Sequence, residues 1–159
     1  MALADVKAYF AQYKKEQDII IMEEGASATV QMAAVALGVE PARIAKTLAF
    51  SYNNDAILIV AAGDAKVDNT KFKNIFGIKA KMLSVEQVSE SIGHEAGGVC
   101  PFALKNAQIK VYLDESLKRF QTVFPACGSS NSAIELTCDQ LYTFAQSHGW
   151  VDTCKNWQS

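Results

Sequence analysis

The chain has 159 residues, 20% of them charged and half hydrophobic, with a net charge of −2. That size suits one domain over residues 1–159, able to bury roughly 70% of the surface its unfolded chain would expose, and the composition excludes the disordered class. The absence of a strongly basic balance argues against wholesale wrapping of nucleic acid, DNA included.

In chain order, Leu3, Val6, Phe10 and Tyr13 recur at helical spacing and predict an amphipathic helix ending near Gln17. This N-terminus alternates charge with apolar residues, unlike a signal sequence, and no apolar run approaches the roughly 20 residues of a membrane span. A cytoplasmic protein with no membrane partner is expected. A short strand, "DIIIM", follows, and Ser27 is a candidate N-cap for a helix over "ATVQMAAVAL" with Gly38 as its left-handed stop. The segments "RIAKTLAFSY" and "AILIVAA", separated by Asn53-Asn54-Asp55, read as a hairpin buried on both faces. A helix over "DNTKFKNIF" is capped by Asp68 or Asn69 and closed by Gly77; "IKAKML" reads as a strand, and "SVEQVSESI" as a helix opened by a Ser84/Gln87 capping box. The remainder reads as strands "QIKVYLD", "TVFPA" and "SAIELT" and a final helix "CDQLYTFAQSHG". The expected fold is α/β (α+β): a mixed, largely antiparallel curved sheet surrounded by helices.

Three features carry potential chemistry. If "RIAKTLAF" is a strand, Ile44, Lys46, Leu48 and Phe50 share one face. An ammonium in that apolar stripe must snorkel, pair with a carboxylate, or face a cavity whose ligand brings negative charge. The loop "GHEAGGVCPF" offers Gly97 and Gly98, whose lack of side chains lets backbone amides approach an oxyanion or phosphate, or merely serves a tight turn. His94 beside it is a candidate general base, against the commoner hydrogen-bonded loop histidine. Cys100 with His94 suggests a rival thiol hydrolase, against a small buried apolar residue. Lastly, five lysines against two aspartates between Asp64 and Lys81 form a locally basic stretch, either a solvated face or a contact for phosphate backbone. Four cysteines without C-x-x-C spacing and two histidines give no zinc-site pattern, so no metal is expected.

The pieces "AKTLAF", "VAAGDAKVDNTKF", "GHEAGGVCPF" and "CGSSNSAIELTCDQL", in this order, resemble the YbaK family, related to the inserted editing domain of bacterial prolyl-tRNA synthetases. The resemblance runs from about residue 20 to residue 145. It implies a freestanding aminoacyl-tRNA deacylase without a cofactor, acting on the ester of a mischarged tRNA, such as tRNA(Pro) carrying Cys, Ala, Ser or Thr. The implied partners are the acceptor end of the aminoacyl-tRNA and a prolyl-tRNA synthetase. It places the principal functional role on Lys46, with Thr47 beside it, and a substrate pocket on the loop Gly97, Gly98, Val99, Cys100, Pro101 and Phe102, bordered by Gly128 and Ser129. Ala103 stands where many family members carry glycine, and alanine tolerates a positive φ poorly. The alternative is a non-catalytic protein that binds a nucleotide or aminoacyl compound in the same pocket.

Overall fold

The centre of the molecule is a hairpin whose geometry follows from two asparagines. In the computed structural model, which describes residues 2–95, 97–106 and 108–157, Asn53 and Asn54 both take positive φ, 49° and 65°. Such a pair makes the tight two-residue turn whose twist matches that of antiparallel strands. It joins β2 (Ile44–Tyr52) to β3 (Asp55–Ala62) in an eight-pair antiparallel ladder from Ala45↔Ala62 to Tyr52↔Asp55. Strand β3 is buried on both faces, as its continuous apolar run requires. Leu58 and Val60 join the main core, while Ile57 and Ile59 pack on the opposite face with Phe50 and Phe72. Each fully buried aliphatic side chain here stabilises the fold by about 1.5–3 kcal/mol.

Around this hairpin stand β1 (Ile20–Ile21), β4 (Lys66–Val67), β5 (Lys110–Asp114), β6 (Thr122–Pro125), β7 (Ser132–Ala133), β8 (Leu136–Thr137), β9 (Trp150–Val151) and β10 (Cys154–Lys155). The main sheet has the order β8-β6-β2-β3-β5-β9. Strand β6 joins β2, β5 joins β3 and β9 joins β5 in parallel, while β6 and β8 run antiparallel. Two short antiparallel pairs, β1 with β7 and β10 with β4, lie outside it. The sheet is therefore mixed, and its longest ladder is antiparallel. The helices are α1 (Ala2–Ala11), α2 (Val30–Leu37), α3 (Asn69–Phe76), α4 (Val85–Ser91) and α5 (Cys138–Phe144). None is long and apolar enough to cross a membrane. On one face α1 inserts Phe10 against Phe102 and Phe144, with ring centroids 4.9 and 5.3 Å apart. On the other, Phe72 of α3 meets Phe50 at 4.9 Å.

Several local expectations shift. The first helix stops at Ala11, not near Gln17, because Lys14 turns the chain with φ 59°. Residues 25–28 form a turn, Ala28 N–H donating to the Gly25 carbonyl at 3.1 Å, so α2 starts late and Thr29 rather than Ser27 caps it. The segment "IKAKML" does not form a strand; it touches the sheet at one bridge, Phe50↔Met82. The predicted strand "SAIELT" splits into β7 and β8, which pair with different partners, β1 and β6. The Gly38 and Gly77 stops, the Asp68 cap and the Ser84/Gln87 capping box all form.

The glycine loop after α4 is anchored from within. The His94 ring is buried and its Nε2–H donates to the Phe102 carbonyl at 2.8 Å, so one side chain closes the loop on itself. Nδ1 is buried without a hydrogen-bond partner among the described residues. Burial holds the His94 pKa below its ordinary value, against the opposing influences of the Phe102 carbonyl and Asp5. As pH falls below about 6.5 the unfolded chain therefore takes up a proton that the folded chain resists, and stability drops. In His94→Gln, which keeps a donor for Phe102, urea unfolding midpoints between pH 7.5 and 5 are expected to depend less on pH than in wild type. Equal pH dependence in the two proteins would show that His94 is not the group responsible.

Candidate functional site

Lys46 and Thr47 sit where the edge of β2 is no longer covered. On that edge β6 pairs only with Ile44 and Ala45, and the segment before α4 bonds only at Ala49 and Ser51. Between them a cleft of about 180 Å³ opens, walled by the start of α2, by β2, by Phe124 and Ala126, and by Gly97 and Val99 of the glycine loop.

The Lys46 side chain reaches the turn after β3. Its Nζ donates to the Gly63 carbonyl at 3.3 Å and to the Ala65 carbonyl. Gly63 is required at that turn, since a Cβ there would lie 2.1 Å from the Pro41 carbonyl oxygen. Two acceptors hold the ammonium in place without neutralising it, and an ammonium has three donors, so one remains for the cleft. Burial lowers the Lys46 pKa, against the opposing influences of Cys154 and Asp64. Asp64 itself is occupied by Arg119, with Nη1 to Oδ2 at 2.9 Å. The charge at the cleft wall is thus a positive one, fixed by backbone dipoles and not cancelled by a bonded carboxylate.

Hydroxyls supply the rest of the polarity. Ser27 is 8% exposed, and its Oγ, like Thr47 Oγ1, is buried without a hydrogen-bond partner among the described residues; both residues line the cleft with Ser132. A buried hydroxyl without a partner is costly, and one facing a cleft is satisfied when a polar ligand enters. Ser27 escaped the sequence reading because a serine before a helical pattern signals a cap; its contribution depends on the turn at 25–28 that displaces the cap to Thr29.

The remaining sequence candidates separate. Gly97, with φ 81°, and Val99 line the cleft beside Lys46 and Thr47. Gly98 lies behind them: its amide donates to the Glu95 carbonyl at 3.0 Å, and a Cβ there would come within 2.5 Å of the Ser129 nitrogen. Its role is close packing of backbone on backbone. Ala96, between these and Glu95, lies outside the described residues. Cys100 and Phe102 are fully buried in the core, and Pro101 lines a different cavity, with Tyr9 and His148. Burial pushes the Cys100 thiol up to about 12, so although its Sγ is 3.5 Å from His94 Nε2 it is no thiolate nucleophile. His94 does not line the cleft either; its ring is turned to the Phe102 carbonyl, a structural tie and not a base facing substrate. Gly128 packs on Ala2, 2.8 Å from where its Cβ would stand. Ser129 stands one layer back, its hydroxyl 2.7 Å from that of Ser132, which faces the cleft in its place. Ala103 adopts a positive φ, 51°, a region that alanine tolerates poorly.

No histidine, cysteine or carboxylate lines the cleft, and no cluster of three or more potential metal ligands forms among the described residues. The arrangement can stabilise a developing negative charge with Lys46 and hydrogen-bond a small polar group with Ser27 and Thr47. It offers no side chain of its own as a general base.

Comparison with known proteins gives the family and the fold. A sequence model described as the aminoacyl-tRNA editing domain matches residues 24–144. The chain is 55% identical over 159 residues to a protein of Bacillus subtilis (strain 168) described as uncharacterized protein YwhH, covering 99% of this chain and 100% of that one. It is 35% identical over 91 residues to a proline–tRNA ligase of Bacillus pumilus (strain SAFR-032), covering 57% of this chain but 16% of the ligase. Its fold is similar to a crystal structure described as a candidate trans-editing enzyme for prolyl tRNA synthetase, with TM-score 0.86 and 23% identity over 97% of both chains. With most of its length, and the strand, cleft and loop that make up the site, inside the matched region, the chain belongs to the aminoacyl-tRNA editing domain family.

Proposed function

We propose that this protein is an aminoacyl-tRNA deacylase that hydrolyses the ester of a mischarged tRNA, with tRNA(Pro) carrying Cys, Ala, Ser or Thr as the expected substrates. The observation that carries this reading is the uncancelled Lys46 ammonium, fixed by two carbonyls at the wall of a cleft otherwise lined by hydroxyls and apolar side chains. A cleft of about 180 Å³ is small beside the roughly 300–1,000 Å³ of drug-sized ligand sites, and it suits an aminoacyl group with part of its ribose.

Hydrolysis passes through a tetrahedral intermediate whose oxygen takes a negative charge. The remaining Lys46 donor and its charge meet that oxygen, while Ser27 Oγ or Thr47 Oγ1 hydrogen-bonds the substrate's amino group or ester. Because no histidine, cysteine or carboxylate lines the cleft among the described residues, and the Lys46 ammonium is held as a charge by two carbonyls, deprotonation of the attacking water falls to the substrate, through the free ribose hydroxyl beside the ester, which takes the water's proton as it passes its own to the departing ester oxygen. A prolyl-tRNA synthetase is the natural partner on this reading, since proline–tRNA ligases carry a stretch similar to this chain.

The first test is hydrolysis of Cys-, Ala-, Ser- and Thr-tRNA(Pro) by wild type and Lys46→Ala. At least one ester is expected to be cleaved, with kcat lowered by about 10²–10³-fold in the variant, the range for removing one oxyanion donor. Inactivity of wild type across the panel would sink the hydrolytic reading. A second test replaces the terminal ribose's free hydroxyl with hydrogen in the cleaved substrate. Loss of about 10²-fold or more in kcat is expected, as for removal of a general base. An unchanged rate would assign water activation to the protein.

A further inference from the structure

Beside the cleft, and sharing Thr47 and Val99 with it, lies a second groove of about 190 Å³ whose floor and walls are apolar: Leu48, Met82, Val85 and Val88. Met82 is 59% exposed and Val85 68%, so the groove presents apolar surface to solvent. Thr47 joins the two hollows. In a strand the N–H and C=O groups of alternate residues point to the same side. Ser51 donates to the Lys81 carbonyl and Ala49 accepts from Leu83, so the Thr47 N–H and C=O point to that side too, at the position that neither β6 nor the segment before α4 reaches. The gap therefore exposes an adjacent donor and acceptor above an apolar shelf.

Charge continues from the shelf in one direction. Lys81 is the next residue to Met82, and Lys79 lines, with Lys73, Asn69, Thr70 and Asn74, a basin of about 400 Å³. Lys73, Lys79 and Lys81 are exposed, and none has a carboxylate within 4.0 Å among the described residues. Lys71 is different: its Nζ is bound to Asp152 and to the Cys154 carbonyl. Within the basic stretch seen in the sequence Lys71 is thus tethered, while Lys73, Lys79 and Lys81 are unpaired, Lys81 adjoining the groove through Met82 and the other two lining the separate basin.

We propose that this surface is the docking track for the single-stranded acceptor end of the tRNA. The terminal base lies on the Leu48/Met82/Val85 shelf with its edge on the Thr47 backbone, and the phosphates that follow run past Lys81 into the Lys73/Lys79 basin. Continuity with the cleft decides the occupant. A group attached to the ester in the cleft and extending along the β2 edge reaches the shelf next, and in an aminoacyl-tRNA that group is the terminal nucleoside. An exposed apolar surface matches the π-face of a base, and unpaired lysines match its phosphates. The inference rests on the deacylase reading, yet it makes a separate claim about binding.

Two probes separate them. The first is the unacylated trinucleotide CCA, titrated into the ¹⁵N-labelled protein. The expected result is movement of the Thr47, Leu48, Met82, Leu83 and Val85 amide resonances, and movement confined to other regions would overturn the docking track. The second is steady-state cleavage of whichever aminoacyl-tRNA wild type hydrolyses. The Met82→Ser/Val85→Ser double variant is expected to raise KM about tenfold, a typical loss for a stacked base, with kcat nearly unchanged. Lys79→Gln with Lys81→Gln is expected to flatten the dependence of log binding constant on log salt by about 0.7 per phosphate released. Both variants lie at exposed positions, and their thermal unfolding is measured alongside. Cleavage by wild type with KM and salt dependence unchanged in the folded variants would overturn the proposal while leaving the deacylase reading intact. Resonance movement on the shelf without cleavage of any ester would do the reverse.

Discussion

The eight-pair ladder between β2 and β3 is the constraint on which the rest of the molecule depends. Because β3 is buried on both faces, the hairpin must be covered by helices on each side, and its register is held by two opposed apolar sets. That register places Lys46 opposite Ala61, one residue from the end of the ladder, where the chain leaving β3 turns and presents the Gly63 and Ala65 carbonyls. A slip of one residue would turn Lys46 into the main core and Thr47 to the opposite face. The position of the ammonium is thus a consequence of core packing on the neighbouring strand.

The site also depends on what the sheet leaves undone. Strand β6 pairs with the first two residues of β2 and then departs, and the segment before α4 returns only at Ala49. An interrupted edge is normally a hazard, since unpaired backbone invites other strands. Here the interruption is walled by α2 and by the glycine loop, which limits access to something narrow. The loop keeps its shape through contacts made away from substrate: the His94 tie to Phe102, the packing of Gly98 on the 128–129 backbone and the insertion of Phe102 against Phe10. Residues that look chemical in the sequence here serve positioning, and the surfaces exposed to the cleft are carried by Gly97 and Val99.

Local sequence signals and structure coincide wherever a residue's own backbone preference decides the conformation. The Asn53-Asn54 turn, the Gly38 and Gly77 helix stops and the Ser84/Gln87 capping box depend on neighbours within a few positions, and each forms. Signal and structure part where pairing depends on segments distant in the chain. "IKAKML" has the pattern of a strand but contributes one bridge, and "SAIELT" is divided between two sheets because Ser132 and Ala133 face β1 while Leu136 and Thr137 face β6. The cap at Ser27 failed for a related reason, since a turn closed by Gly25 holds that residue outside the helix.

For the site, the sequence by itself determined the mixed fold class, the hairpin, the lysine in an apolar stripe and the glycine loop as its companion, because periodicity and turn chemistry are properties of short stretches. Only the tertiary structure decided which members of that loop meet the lysine. It selected Gly97 and Val99, turned Cys100, Phe102 and His94 inward, set Ser132 in front of Ser129, and brought Ser27 to the cleft beside Lys46, Gly97 and Ser132, from which it is well separated in the chain. The physical reason is that exposure to a cleft is a relation between elements distant in sequence, fixed by how β2, α2 and the loop pack together, and no single stretch carries it.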